Sequence, residues 1–150
     1  MKNILLLLLV FLTGCGTSQQ VAEAVHLSKS GSQELLGQLK TLGDKIQVYT
    51  IPIMIEKPVD ATLNINFKIK SAGYCPTSYE PTVFYLNNRL IAEFDFRHYF
   101  LKTEIKKTVT INRQLFLNGM NSLKIETGQC QYDIDVLDLN RLRLNFKGSL

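Results

Sequence analysis

The chain has 150 residues, 17 of them basic and 13 acidic, and a formal net charge of +4. This length suits one domain with a single hydrophobic core and is short for two. The charge excess is mild, whereas nucleic-acid-binding proteins are typically strongly basic, so the charge does not indicate that class of protein. Tryptophan, the largest flat platform for a sugar ring, is absent.

The N-terminus has the features of an export signal. Lys2 is followed by an unbroken apolar run from Ile4 to Leu12. A helix of nine residues covers about 14 Å, roughly half of a bilayer's hydrocarbon core, so this run is too short to span a membrane. A charged start, a short apolar stretch and small residues before a cleavage point are typical of a signal peptide. We predict that residues 1–14 are removed.

The end of that run, Leu12-Thr13-Gly14-Cys15, resembles the lipobox of bacterial lipoproteins. In that family the cysteine thiol receives a diacylglyceryl group, the preceding bond is cut, and the new amino terminus is often acylated as well. The resemblance implies that Cys15 is the lipidated first residue of the mature protein. Two or more acyl chains hold a protein stably on a membrane, at about 0.8 kcal/mol per buried methylene. An ordinary secretory signal is the alternative.

The residue after the cysteine bears on the destination. In many Gram-negative lipoproteins an aspartate at this position retains the protein in the inner membrane, whereas this chain has Gly16. The resemblance therefore implies attachment to the outer membrane, at its periplasmic face. The mature chain would have 136 residues and, without Lys2, 16 basic against 13 acidic residues, a net charge of +3.

The two remaining cysteines, Cys75 and Cys130, are predicted to form a disulfide, since an exported chain reaches a compartment where disulfides persist. The bridge would join residues 55 positions apart, and chain entropy predicts a stabilisation of about 4 kcal/mol for a loop of that size. Two free, buried thiols are the alternative.

Residues 15–45 are predicted to be a lipidated cysteine followed by a flexible or partly helical tether. The segment after Cys15 has no aromatic residue and carries several glycines, serines and glutamines. Ser32 could cap a short helix with one apolar face, and we expect that face to dock on the domain. Its members are Leu35, Leu36, Leu39 and Leu42. An unstructured stretch over 16–31 would reach on the order of 20 Å from the bilayer.

From residue 46 to residue 150 the pattern predicts an antiparallel β domain. The stretch Ala61–Lys70 alternates apolar and polar residues without a break, which is typical of a strand with one buried and one wet face. The run Ile46–Ile55 is also apolar, but Pro52 lacks an amide donor, so we expect an edge strand or a bulge there. The stretch Thr82–Phe96 indicates a hairpin, with Asn87-Asn88 accepting the positive φ of a tight turn.

Further strands are expected at Ile105–Ile111, Ser122–Thr127, Tyr132–Leu137 and Leu139–Phe146. About eight short strands separated by turn residues predict an all-β fold, an antiparallel β-sandwich or jelly roll.

Residues 82–146 resemble the galactose-binding-like jelly roll of carbohydrate-binding modules. The pieces that carry this resemblance are the hairpin Phe84–Ala92, the stretch Val109–Ile125, which contains Leu117–Ile125, and the last strand, Leu139–Phe146. The resemblance implies an architecture and no binding residues. Within the middle piece, the turn preferences of Asn118-Gly119-Met120-Asn121 explain these residues without a ligand.

Candidate sites are few. The histidines are His26 and His98, which leaves little material for a nucleophile with a histidine base. Asp133 and Asp135 lie two apart and share a strand face, where a carboxylate pair or a calcium site is possible, but outward alternation explains them more simply. We expect no metal, no cofactor and no catalytic residues.

The group Arg97-His98-Tyr99 is the best candidate for ligand binding. A non-catalytic lipoprotein that binds another envelope protein is the leading hypothesis. A carbohydrate-binding lipoprotein is the second, and a small envelope hydrolase the third. Exposed aromatics on a concave face would favour sugar, and a flat apolar patch would favour a protein partner.

Overall fold

The all-β prediction is confirmed by a computed structural model. It describes residues 18–21, 23–27, 31–36, 39–42, 47–71, 81–95, 104–127 and 136–146. Within these ranges the chain forms eleven strands and one short 3₁₀ helix. The strands make two sheets that pack face to face as a β-sandwich.

Sheet A contains six of these strands. They are β1 (Ser18–Val21), β2 (Val25–Leu27), β5 (Gln47–Ile55), β7 (Thr82–Leu86), β8 (Arg89–Phe94) and β10 (Gly119–Glu126). The order is β1-β5-β10-β7-β8, and β2 pairs with β5 further along the strand than β1 does. The pairs β5–β10, β10–β7 and β7–β8 are antiparallel, whereas β1 and β2 run parallel to β5.

Sheet B contains the other five strands, all antiparallel to their neighbours. They are β3 (Ser32–Leu36), β4 (Leu39–Leu42), β6 (Ala61–Ser71), β9 (Glu104–Ile111) and β11 (Val136–Phe146). The order is β3-β11-β6-β9, and β4 follows β3 along β11. The 3₁₀ helix, Arg113–Leu115, lies between β9 and β10.

The core lies between the sheets and follows from the period-2 pattern. On β6, Leu63, Ile65 and Phe67 are buried and the residues between them are half-buried, as the alternation predicts. Phe67 of sheet B packs edge-to-face with Phe84 and Phe94 of sheet A, at ring-centroid distances of 6.2 and 5.6 Å. This aromatic cluster joins the two sheets.

Burial of Tyr49, on the inner face of β5, gives a pH-dependent prediction. Desolvation raises the pKa of its hydroxyl above the usual value of 10.0. The folded state therefore favours the neutral phenol, and the contribution to stability is fully present below pH 10 and is lost as pH rises through the folded-state pKa. We expect the free energy of unfolding in urea to fall less steeply between about pH 9 and about pH 11 in Tyr49→Phe than in the wild type.

Tyr49→Phe removes only the hydroxyl group, so the other titrating groups of the chain are common to both proteins and cancel in the comparison. Identical slopes in the two proteins would contradict the prediction.

The prediction of helical pieces in the N-terminal segment is wrong for its described residues. Ser32 begins β3 rather than a helix, and Leu35 is buried in the core. Short amphipathic helices are marginal on their own, and Gly37 interrupts this one. The edge of β11 offers unpaired backbone groups along its whole length, and β3 and β4 take them up.

The two strands predicted at Tyr132–Leu137 and Leu139–Phe146 correspond, in the described residues, to the single strand β11. The predicted gap between them fell at Asp138, but Asp138 pairs with Lys68 and the strand continues through it. A bulge follows, because Leu139 pairs with Phe67 while Arg141 pairs with the adjacent Asn66. The extra residue, Asn140, shifts the alternation by one without ending the strand.

Pro52 lies at a gap in strand pairing. Its partner on β10, Ser122, donates its amide to Asn87 Oδ1 and accepts from Asn87 N, so Ser122 directs both backbone groups away from β5. The backbone nitrogen of Pro52, which has no hydrogen to donate, therefore points to the opposite side of β5. On that side β1 ends beside Thr50 and β2 begins beside Ile53. The proline has a local edge position, although β5 as a whole has neighbours on both sides.

Candidate functional site

The two ends of the sandwich differ in which segments meet there. We call the end at which β1 begins the proximal end; there Ser18 pairs with Gln47, and Val136 of β11 pairs with Ser71 of β6. The opposite, distal end carries the 56–60 loop, the turn at Asn87 and the 112–118 loop. If Cys15 carries lipid, only two residues separate it from Ser18, at most about 11 Å of chain.

The candidate site residues predicted from the sequence lie outside the described part of the chain. This applies to the cysteines, to the Arg97 group and to both aspartates, which are Cys15, Cys75, Cys130, Arg97, His98, Tyr99, Asp133 and Asp135. The strand ends that flank their segments are described, and all of them are proximal. These ends belong to β6, β7, β8, β9, β10 and β11.

The distal end is joined by an asparagine network. Asn121 is buried, and its Oδ1 accepts from Leu117 N at 2.7 Å and from Asn87 Nδ2 at 2.8 Å. Its Nδ2 donates to Leu117 O and Gly119 O, at 2.9 and 3.0 Å. Asn87 Nδ2 also donates to Leu115 O at 2.9 Å. The network connects the β7–β8 turn to the loop before β10, so its role is structural.

The predicted turn conformations are confirmed at this end. Asn87 and Asn88 have φ values of 51° and 64°, and Gly119 has φ 91°. A two-residue loop with positive φ at both positions matches the right-handed twist of the strands that it joins. Asparagine and glycine accept this conformation at low cost, as the sequence indicated.

The outer face of sheet A is largely apolar, and we call it the apolar face. Val21, Leu90 and Met120 are 66, 55 and 50% exposed on its strands, and Leu117 is 57% exposed in the adjoining distal loop. Half-buried residues of β5, β7 and β10 continue this face, namely Val48, Thr50, Pro52, Met54, Val83, Tyr85, Ser122, Lys124 and Glu126. The alternation does not reveal this face on β5, because apolar residues such as Val48 and Met54 occupy its outer positions as well as its inner ones.

On the apolar face Lys124 and Glu126 are paired with each other, whereas Glu93 of β8 is exposed beside Val83. Lys124 Nζ lies 2.8 Å from Glu126 Oε1 and 4.4 Å from the centroid of the Tyr85 ring. An ion pair and a cation–π contact together hold one lysine against an aromatic ring. The face therefore combines exposed apolar side chains with a tyrosine and a paired charge.

The outer face of sheet B is polar throughout its described positions, and we call it the polar face. Its residues on β6, β9 and β11 are Thr62, Asn64, Asn66, Lys68, Glu104, Lys106, Thr108, Thr110, Arg141, Arg143 and Asn145. On β3, Glu34 Oε2 lies 3.1 Å from Arg143 Nη2 and its Oε1 lies 3.5 Å from Arg141 Nε.

A groove of about 610 Å³ lies on the polar face, within the size range of ligand sites, about 300 to 1,000 Å³. Thr108 Oγ1 donates to Asn64 Oδ1 at 2.9 Å, and Asn66 Nδ2 donates to Glu104 Oε1 at 2.6 Å. The lining also includes Ile65, Lys106, Lys107 and Arg141. Period-2 alternation predicts that Asn64 and Asn66 point outward, but it does not predict which residues of β9 and β11 lie beside them.

Within the described ranges, no three histidine, cysteine, aspartate or glutamate side chains are grouped closely enough to hold a metal ion. The same part of the chain contains no helix with the length and apolar character needed to cross a membrane.

No protein-family model matches the chain, and no curated protein matches it in sequence.

Proposed function

We propose that this protein is a membrane-anchored lipoprotein of the bacterial cell envelope that acts without catalysis, as an interaction or scaffold component that binds another envelope protein. The observation that carries the proposal is the apolar face. Exposed Leu90 and Met120, with Tyr85 and Met54 beside them, have the composition that distinguishes the centre of protein interfaces from ordinary surface. The lipobox at Cys15 supports the membrane attachment.

A protein partner suits this face better than a lipid surface does. Glu126 and Lys124 are paired on it, and a bilayer interior would have to desolvate both charges. A protein partner can leave such a pair at a polar rim, where it favours the correct orientation of the two proteins.

The proposed anchor gives the apolar face a defined location. The proximal end is tied closely to the membrane, because the chain between Cys15 and Ser18 is so short. Leu117 and Met120 lie at the other end, so they are presented to the periplasm. The protein would hold its partner a domain's length from the outer membrane.

The first test separates the anchor from the domain. In cells labelled with a radioactive fatty acid, we expect the wild type to carry label and to sediment with membranes. Cys15→Ser should lose the label and leave the membrane fraction, because the thiol that receives the lipid is gone. A Cys15→Ser protein that is still labelled and still membrane-bound would refute the anchor.

The second test addresses the partner. A photoreactive amino acid at Met120 is expected to crosslink one envelope protein in intact cells, and Leu90→Lys should reduce that crosslink at least about tenfold, as truncating an interface anchor does. Thr110→Lys, the same new charge at an exposed position of the polar face, should leave it unchanged. Equal crosslinking in all three proteins would contradict the proposal, as would hydrolysis of a glycan or an ester by the purified protein.

A further inference from the structure

The polar face contains a row of three polar side chains, one from each of three neighbouring strands. Asn66 of β6 pairs in register with Arg141 of β11 on one side and with Lys106 of β9 on the other. Neighbouring strands lie about 4.8 Å apart, so the backbones of the two cationic residues lie about 10 Å apart, with Asn66 between them. All three side chains line the groove.

The amide at the centre of the row has an unused acceptor. Asn66 Nδ2 donates to Glu104, which orients the group, but Asn66 Oδ1 is buried and has no hydrogen-bond partner among the described residues. A buried acceptor without a donor costs free energy, so such atoms in native structures call for an explanation. Asn66 lines the groove and is only half-buried as a residue, so its amide group lies in the groove wall.

The side chains of Lys106 and Arg141, on either side of Asn66, are hydrogen-bond donors with weak or no ion pairs to other described residues. Lys106 is exposed and makes no ion pair with any residue that the structure describes. Arg141 is 3.5 Å from Glu34, with both side chains more than a third exposed, and a surface pair of that kind is weak. Asn64 uses its oxygen for Thr108, and its amide hydrogens have no partner within the described ranges.

We propose that this groove binds an acidic saccharide, a sugar chain that carries carboxylate groups. The two cations favour an anionic ligand, and Asn66 Oδ1 between them lacks a hydrogen-bond donor, which a sugar hydroxyl supplies. Carboxylates on successive sugars can reach Lys106 and Arg141 while a hydroxyl reaches the amide. A neutral sugar fits less well, because none of the described residues that line the groove is an aromatic one that could stack against its ring.

The test measures calorimetric binding to the full chain purified in detergent. The probes are an oligogalacturonate, a maltooligosaccharide of equal length and inorganic polyphosphate. We expect the oligogalacturonate to bind at least about tenfold more tightly than either of the others. Lys106→Gln and Arg141→Gln should each weaken that binding about tenfold, since each removes one charge-assisted hydrogen bond.

Two further variants serve as controls. One tests whether any loss of positive charge weakens binding, and the other tests whether a loss of binding is caused by misfolding. Lys57→Gln removes the same charge from an exposed position in the 56–60 loop and should change the affinity less than about twofold. Asn66→Val should weaken binding about tenfold while its melting temperature equals or exceeds that of the wild type, because a β-branched residue replaces an unsatisfied amide.

Several results would overturn the proposal. One is no measurable binding of the oligogalacturonate. Another is an equal loss of affinity in Lys57→Gln and Lys106→Gln. The saccharide would also be refuted if polyphosphate bound as tightly as the oligogalacturonate and Asn66→Val left both affinities unchanged, because the groove would then recognise charge alone.

Discussion

Replacing both Cys75 and Cys130 with serine is expected to lower the free energy of unfolding by about 4 kcal/mol. The predicted bridge would close a long loop and restrict the unfolded chain. The described strand ends are compatible with it, because β6 ends at Ser71 and β10 ends at Glu126, both at the proximal end. Packed sheets lie about 10 Å apart, a distance that the few residues from these ends to the cysteines can span.

The measurement is urea unfolding of the wild type and the double variant, each with and without a reductant. The wild type should fall to the level of the variant when it is reduced, and the variant should not respond. Alkylation of both thiols in unreduced, denatured wild-type protein, detected by mass spectrometry, would contradict the pairing.

Asn121→Ala is expected to destabilise the protein by about 3 kcal/mol. The side chain makes four hydrogen bonds, and its removal leaves Leu117 O, Gly119 O, Leu117 N and one bond of Asn87 Nδ2 without a partner. Some of these groups can take up water, so the loss is smaller than four full penalties. For a chain of this size, the melting temperature should fall by roughly 10 °C.

The loop before β10 provides a matched control for this prediction. Asn118→Ala changes the same residue type three positions earlier, at an exposed site whose side chain makes no hydrogen bond within the described ranges. Its melting temperature should stay within about 2 °C of the wild type. An Asn121→Ala protein as stable as Asn118→Ala would show that the network contributes nothing.

Asn121→Ala should also affect binding of the partner at the apolar face. Asn121 holds the backbone of Leu117 against the start of β10, beside Met120. Loss of the network would free the loop that carries these exposed apolar side chains. We therefore expect the crosslink from Met120 to weaken in Asn121→Ala at temperatures where the domain is still folded.

Local signals in the sequence were sufficient for much of the sandwich. The alternation over Ala61–Lys70 predicted β6 and its buried face, and Asn87-Asn88 predicted the tight turn, because both depend on residues close together in the chain. Asn140 shows the limit of the same signal. A bulge and a strand end both interrupt the alternation, and only the pairing with β6 distinguishes them.

The N-terminal strands and both faces depended on long-range contacts. Nothing local in Ser32–Leu36 favours a strand, and the segment becomes one because β11 offers an open edge. The row of Arg141, Asn66 and Lys106 exists only when three strands distant in sequence take their observed order and register. The jelly-roll resemblance, the lipid on Cys15 and a ligand at Arg97, His98 or Tyr99 stay predictions.

The parallel pairing of β1 with β5 has a mechanical consequence. If lipid holds the chain just before Ser18 and a partner is bound at the distal end, tension would run along the strand axes. It would then load the four residue pairs between β1 and β5 together, as shear, instead of opening them one after another. The break beside Pro52 separates these pairs from those of β2, which would serve as a second point of resistance. A domain loaded in this way would bear force between a membrane and its partner without first losing its N-terminal strand.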